Sequence, residues 1–162
     1  MHSDDLAHLN TLLDQERTLQ FSGFSHDDAW VLGTRLRTIA AAQALPIAIA
    51  IMLGDQRVFQ AGLGGASADN DAWLERKFAV VRRYGHSSLA VGVEFRSRGV
   101  DFDRDSRLDP ARFAAHGGAF PLFVHGAMVG MVGVSGLPQL DDHALVVRAL
   151  REQLTTGTHP DA

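Results

Sequence analysis

The segment that most restricts the fold is "AFPLFVHGAMVGMVGVSG", residues 119–136. Two apolar runs flank His125-Gly126, and a two-residue link of this kind closes a β-hairpin, with Gly126 free to take the positive φ that a tight turn needs. The second run carries glycine at 130, 133 and 136. Missing side chains along one strand and its exit let another backbone, a helix or a flat ligand come close. Gly117 and Gly118 do the same at the entry to the hairpin. A second apolar run, "PIAIAIMLG" from Pro46, has no polar alternation and reads as a strand buried on both faces. Gly54-Asp55-Gln56 can turn it into a partner strand, "RVFQAGL".

Helical patterns surround these strands. Ser3 followed by Asp4 and Asp5 reads as the start of a helix with Leu6, Leu9, Leu12 and Leu13 along one side. Ser25 opens a longer one, one face of which is marked by Ala29, Leu32, Gly33, Leu36, Ile39, Ala40 and Gln43, and Pro46 stops it. "TLQFSGF" between them is expected to hold a short strand. Trp73, Lys77, Val80, Val81 and Tyr84 are spaced as a third helix. Its Arg76, Lys77, Arg82 and Arg83 are read together as a solvated basic face. In "SSLAVGVEFRSRG" the alternation of Val91, Val93 and Phe95 suggests a strand, while Ser87, Ser88 and Gly99 suggest helix ends, and the pattern alone does not decide. "DFDRDSRLDP" reads as polar loop, with a helical turn from Pro110 to Ala115. After Pro138 a last helix carries Asp141 and Asp142 early and Arg148 and Arg151 late, matched to its dipole, and residues 155–162 are expected to be a frayed tail.

With 162 residues the chain is expected to form one domain over 1–162, large enough to bury roughly two-thirds of its unfolded surface. A formal net charge of -4 argues against a nucleic-acid binder. Cysteine is absent, which removes disulfides, thiolate nucleophiles and cysteine-held metal sites. The N-terminus has no secretory pattern and no apolar run is long enough to span a bilayer, so a cytoplasmic location is expected and no membrane partner.

Familiar motifs fail on single residues. "GLGGAS" has Ser67 where a dinucleotide loop needs its third glycine. "GVSGL" has Leu137 where a nucleophile elbow needs glycine, which disfavours Ser135 as an acyl-transfer nucleophile. Asp101, Asp103 and Asp105 have calcium-loop spacing, but Ser106 and Arg112 replace the turn glycine and the bidentate glutamate. Asp142 and His143 are adjacent on a helix and point about 100° apart, so they do not form an acid/base pair. His143 shares a face with Leu140, Val147, Leu150 and Leu154 and is expected to point inward. A bland core histidine, or one at an oligomer seam, competes there with a ligand role. The free N–H groups at the start of that helix suit a small anion.

"HGGAFPL" (116–122), "VHGAMVGMVGVSGLPQLDDHALVVRAL" (124–150) and "WLERKFAVVRRYGHSS" (73–88) together resemble the haem-degrading-domain family, which includes HbpS-like and GlcG-like proteins and PduO C-terminal domains. The closest likeness is to its uncharacterised branch of short stand-alone proteins. The resemblance implies an α+β fold, a profilin-like α-β-α sandwich with a central antiparallel sheet and helices on both faces. It implies that the segment over 87–99 is helical and that the protein forms homo-oligomers. It brings haem into view as a ligand, with His143 or His116 as the iron ligand. His116, Ser135, Gly136, Asp142 and His143 are expected to line or border any pocket, with no catalytic residue assigned. The function expected first is an oligomeric binding or assembly module for a small anion or haem. The alternative is a haem-degrading or other small-molecule enzyme using a histidine at the sheet–helix junction.

Overall fold

A computed structural model describes residues 2–157. Along the chain lie α1 (Ser3–Thr18), β1 (Gln20–Phe21), α2 (His26–Ala42), β2 (Ala48–Leu53), β3 (Gln56–Gly62), α3 (Ala68–Tyr84), α4 (Ser88–Ser97), α5 (Phe102–Asp105), β4 (Ala119–Val124), β5 (Ala127–Ser135) and α6 (Gln139–Thr156). The strands form one five-stranded sheet in the order β1-β4-β5-β2-β3.

The continuous apolar run of β2 has a direct consequence. Side chains alternate across a strand, so Ile49 and Ile51 enter a core under α2 and α6 with Leu32, Leu36, Val132, Val134, Val146 and Leu150. Ala48, Ala50 and Met52 enter a second core under α3 with Leu74, Phe78 and Met131. Both faces are therefore covered, which gives the α+β sandwich its three layers. The β4–β5 hairpin turns at His125 and Gly126, both at positive φ (48° and 82°), and β5 pairs antiparallel with β4 and β2.

Caps act where the side chains allow. Ser25 N–H donates to Asp28 Oδ2 at 2.8 Å while Ser25 Oγ accepts from Asp28 N–H at 3.2 Å, a reciprocal capping box that starts α2. Ser67 N–H donates to Asn70 Oδ1 at 2.9 Å at the start of α3. Ser87 Oγ accepts from Ala90 N–H at 3.2 Å and begins α4. That helix is buried on nearly every side, Leu89, Ala90, Val91, Val93 and Phe95 included, so its apolar positions carry no stripe and imitate strand alternation.

Several expectations are corrected. The sheet is mixed, because β1 runs parallel to β4, Gln20 opposite Phe123. Leu19 and Phe21 are both drawn into the α2–α6 core, and Gly126 N–H donates to Gln20 Oε1 at 2.7 Å, which together tie this two-residue strand to the hairpin turn. His2, not Ser3, is the N-cap of α1, and no side-chain hydrogen bond caps it. In the acidic loop, Asp101 Oδ1 accepts from Arg104 N–H at 2.9 Å and starts the one-turn α5. Pro110 opens only a turn, and the chain is non-helical from Phe113 to His116. α6 continues to Thr156, so Thr155 and Thr156 are helical and the last turn holds no basic residue. Arg148 instead donates to Glu152 within the helix at 3.0 Å. The rest of the expected tail, 158–162, lies outside the described residues.

Candidate functional site

The exit of β5 brings four pieces of chain together. Ser135 ends the strand, Gly136 and Leu137 turn it, and Pro138 caps α6 by accepting N–H bonds from Asp141 and Asp142 at 2.9 and 3.0 Å. Gly136 takes φ 147°, and a Cβ there would lie 2.3 Å from the Pro46 carbonyl oxygen, so no side chain fits. Beside it, the His116–Gly118 segment enters β4, with Gly118 at φ 134°. A Cβ on Gly118 would fall 2.5 Å from Val134 O and 2.8 Å from Lys77 Nζ. The fourth piece is the first half of α3, which contributes Asn70, Trp73 and Lys77. Between these pieces lies a cavity of about 290 Å³ lined by these three residues, His116, Ser135, Gly136, Leu137, Gln139 and Asp142.

Lys77 is the residue that composition misplaces. Read as part of a solvated basic face, it is instead 3% exposed, and its Nζ donates to Asp142 Oδ2 at 3.1 Å and to the Val134 carbonyl at 3.3 Å. The helix turns it inward beside Leu74 and Phe78, while Arg82 and Arg83 stay in solvent. Asp142 is 1% exposed and also accepts from Leu137 N–H at 3.1 Å, which fixes the β5–α6 turn to the carboxylate. Burial lowers the Lys77 pKa against the opposing pull of Asp142, and burial raises that of Asp142 against the opposing pull of Lys77. Both shifts push this pair towards its neutral form.

His116 is the imidazole at the mouth. Its ring packs edge-on to Trp73, centroids 5.3 Å apart, and Arg76 lies over the other ring system of the stack, 4.2 Å from the Trp73 centroid. Partial burial lowers its pKa, Asp103 opposes this, and the charges of Lys77, Arg76 and Arg96 add to the lowering. Gly117 N–H donates to Gln139 Oε1 at 3.0 Å and clamps the histidine's loop to α6. A second cavity of about 120 Å³, bordered by Arg96, Asp101 and Asp103, shares His116 and Gln139 as its wall.

Of the five residues expected around a pocket, the structure brings His116, Ser135, Gly136 and Asp142 to one cavity and leaves His143 outside it. His143 does point inward, 5% exposed, but α1 fills the space it faces, and its Nε2 lies 2.8 Å from Gln15 Oε1. Burial, with a smaller contribution from His8, lowers its pKa to about 4, so it is neutral at pH 7, the form in which Nε2–H donates to Gln15 and Nδ1 is bare. His125 stays exposed at the hairpin turn. Among the described residues no group of three histidine or acidic side chains could hold a metal ion. No helix among them is long and apolar enough to cross a membrane.

Lys77, Trp73, Asn70, Leu137 and Gln139 are additions that motif reading did not supply. One signal was available for the first. The chain has fifteen Lys and Arg residues, and Lys77 is the single lysine among fourteen arginines. Arginine and lysine are not interchangeable where an amine must be buried or reactive.

A central sheet between two helical layers, with a polar cavity at the β5–α6 turn, places the molecule among the small α+β sandwiches. The chain belongs to the family of HbpS-like haem-degrading proteins, whose model matches residues 24–151. Within it, the chain is 53% identical to a UPF0303 protein of Streptomyces avermitilis over 142 residues, 87% of each chain. It is 44% identical to UPF0303 protein BCAN_A1444 of Brucella canis over 152 residues, 93% of this chain and 90% of the other. Among solved structures, Ybr137w superposes with a TM-score of 0.85 at 29% identity, covering 95% of this chain and 94% of that one. The PduOC:haem complex superposes with a TM-score of 0.63 at 17% identity, over 80% of this chain and 94% of that one, a likeness of fold.

Proposed function

We propose that this protein binds a small carboxylate-bearing molecule in the cavity between α3 and α6. The observation that carries this reading is the convergence of two helix N-termini on one cavity. Asn70 and Gln139, both in first turns, line it, and the positive ends of the two helix dipoles favour an anion there. Lys77, Arg76 and Arg96 all raise the positive potential at His116, against Asp103 alone. Ligand pockets for drug-sized molecules span about 300–1,000 Å³, and 290 Å³ lies at the small end.

Haem is the second reading, favoured by the neutral imidazole of His116 at the wall between two cavities. The fit is poor. A tetrapyrrole is too large to be enclosed here, His143 reaches neither cavity, and His116 could hold iron only with the macrocycle lying across the mouth. The same module is proposed to act in the cytoplasm as a homo-oligomer, its exposed Trp30 (63%) and neighbouring Val31 serving contacts between copies.

Calorimetric titration with a panel of small mono- and dicarboxylates tests the first reading. A saturable heat is expected for wild type, and its loss is expected in Asn70→Trp, which fills the cavity. No saturable heat, or the same heat in the filled variant, would overturn it. A saturable Soret shift weakened by His116→Ala but unchanged in His143→Gln would instead favour haem.

A further inference from the structure

We infer that Lys77 is an imine-forming amine, and that the cavity captures small 2-oxo acids covalently through it. This rests on the carboxylate-binding reading and goes beyond it by naming a reaction. The geometry has the parts such chemistry needs. A primary amine lies in the wall of a small cavity, 97% removed from solvent, with a carboxyl group 3.1 Å away as its proton partner. The Val134 carbonyl, 3.3 Å from Nζ, orients the amine, and the Leu137 N–H holds Asp142 in place. Asn70 and Gln139, from the first turns of α3 and α6, line the same space, where the positive ends of the two helix dipoles favour the carboxylate end of a 2-oxo acid. Because burial moves both members of the pair towards neutrality, a share of the population holds the proton on Asp142 and leaves Nζ as the free amine, the nucleophilic form. The composition agrees. Of the fifteen Lys and Arg positions fourteen are arginine, and position 77 alone carries a cation that can give up its charge.

The step balances without a further reagent. The Lys77 ammonium passes a proton to the Asp142 carboxylate, and the nitrogen lone pair attacks the carbonyl carbon, forming a carbon–nitrogen bond. The carbonyl oxygen is protonated and leaves as water when the carbon–oxygen bond breaks. Two of the three ammonium hydrogens depart in that water. The third stays on the iminium nitrogen, whose positive charge again faces the Asp142 carboxylate. Nothing is oxidised or reduced, and hydrolysis reverses the sequence.

Reductive trapping tests this. The folded protein is incubated at pH 7 with pyruvate and sodium cyanoborohydride, and the product is measured by intact mass and peptide mapping. Apart from the α-amino group, Lys77 is the only primary amine in the chain, so the site of labelling is unambiguous. We expect one adduct at Lys77, formed faster in the folded protein than in the guanidinium-unfolded chain, since a lowered amine pKa raises the reactive free-amine fraction. Asp142→Asn is expected to slow it, and Lys77→Arg to abolish it. A lysine that is only structural would label more slowly folded than unfolded, and that order, or no adduct at Lys77, would overturn the inference. Because the folded-to-unfolded comparison uses wild type, it decides the matter even if a variant fails to fold. Calorimetric binding of pyruvate with no adduct would end the imine while leaving the pocket reading intact. Absence of both would remove both.

Discussion

Replacing Lys77 by Met keeps a flexible apolar stem in α3 and removes the charge that Asp142 faces at 3.1 Å. The Asp142 side chain is 2% exposed, so little water reaches it, and its remaining backbone bonds, to Leu137 and Gly136, do not neutralise a carboxylate. Breaking a buried pair by removing one partner costs about 3–5 kcal/mol. For a chain of this size each kcal/mol moves the melting temperature by roughly 2–4 °C, so Lys77→Met should melt about 6–20 °C below wild type. The double variant Lys77→Met/Asp142→Asn removes the orphaned charge but keeps an oxygen for Leu137 N–H, and is expected to recover about half of the loss or more. Urea unfolding followed by circular dichroism measures both. The pH dependence carries a second signature. In the single variant Asp142 is a buried carboxyl without a counter-charge, its folded pKa raised, so the deficit should be small in acid and grow as pH rises above the unfolded value of about 3.9. A loss under about 1 kcal/mol, or a double variant no better than the single one, would refute this account of the pair.

Other outcomes follow from the same structure. His143 titrates near 4 when folded and near 6.5 when unfolded, so the unfolded chain binds the extra proton first, and roughly 3 kcal/mol of stability should be lost as pH falls from about 6.5 to 4. His143→Gln should flatten that slope in pH-dependent urea unfolding. His86 behaves oppositely, because its hydrogen bond to buried Glu16 (2.7 Å) raises its pKa, so its contribution is full below about 6.5 and fades as pH rises through the folded value. Glu16→Gln should abolish that fading and should also weaken the α1–α4 junction, where Glu16 Oε1 accepts from Ser87 N–H at 2.6 Å. Gly136→Ala places a Cβ 2.3 Å from the Pro46 carbonyl oxygen at a strained φ and should cost roughly 2 kcal/mol or more, read by the same unfolding assay.

How far the sequence spoke can be judged residue by residue. The hairpin at His125-Gly126, the two-sided strand Ala48–Leu53 and the cap at Ser25 are written in local chemistry, turn geometry, absence of alternation and a short acceptor side chain, and each is present. α4 was not readable from its pattern, since a helix buried all round has no polar face to mark its period; the family resemblance supplied it. The site divides in the same way. Gly136 and the start of α6 are local features. The partner of Asp142 is not, because Lys77 lies 65 residues away and its neighbours Arg76, Arg82 and Arg83 disguise it as surface charge. Likewise the inward direction of His143 followed from helical spacing, but the group it meets, Gln15, is 128 residues distant and closes it off from the cavity. Sequence shows which way a side chain points more readily than what stands opposite.

The claim that the α3–α6 cavity holds a small anion has a built-in reporter. The chain contains two tryptophans, and Trp73 lines the cavity while Trp30 lies exposed on α2. In Trp30→Phe, all tryptophan fluorescence comes from Trp73. Titration of that variant with small carboxylates should change its emission saturably, and the change should vanish when Asn70→Trp is replaced, for this purpose, by the non-fluorescent filling variant Asn70→Phe. A flat titration across the series, or the same saturable response in the filled protein, would contradict the account.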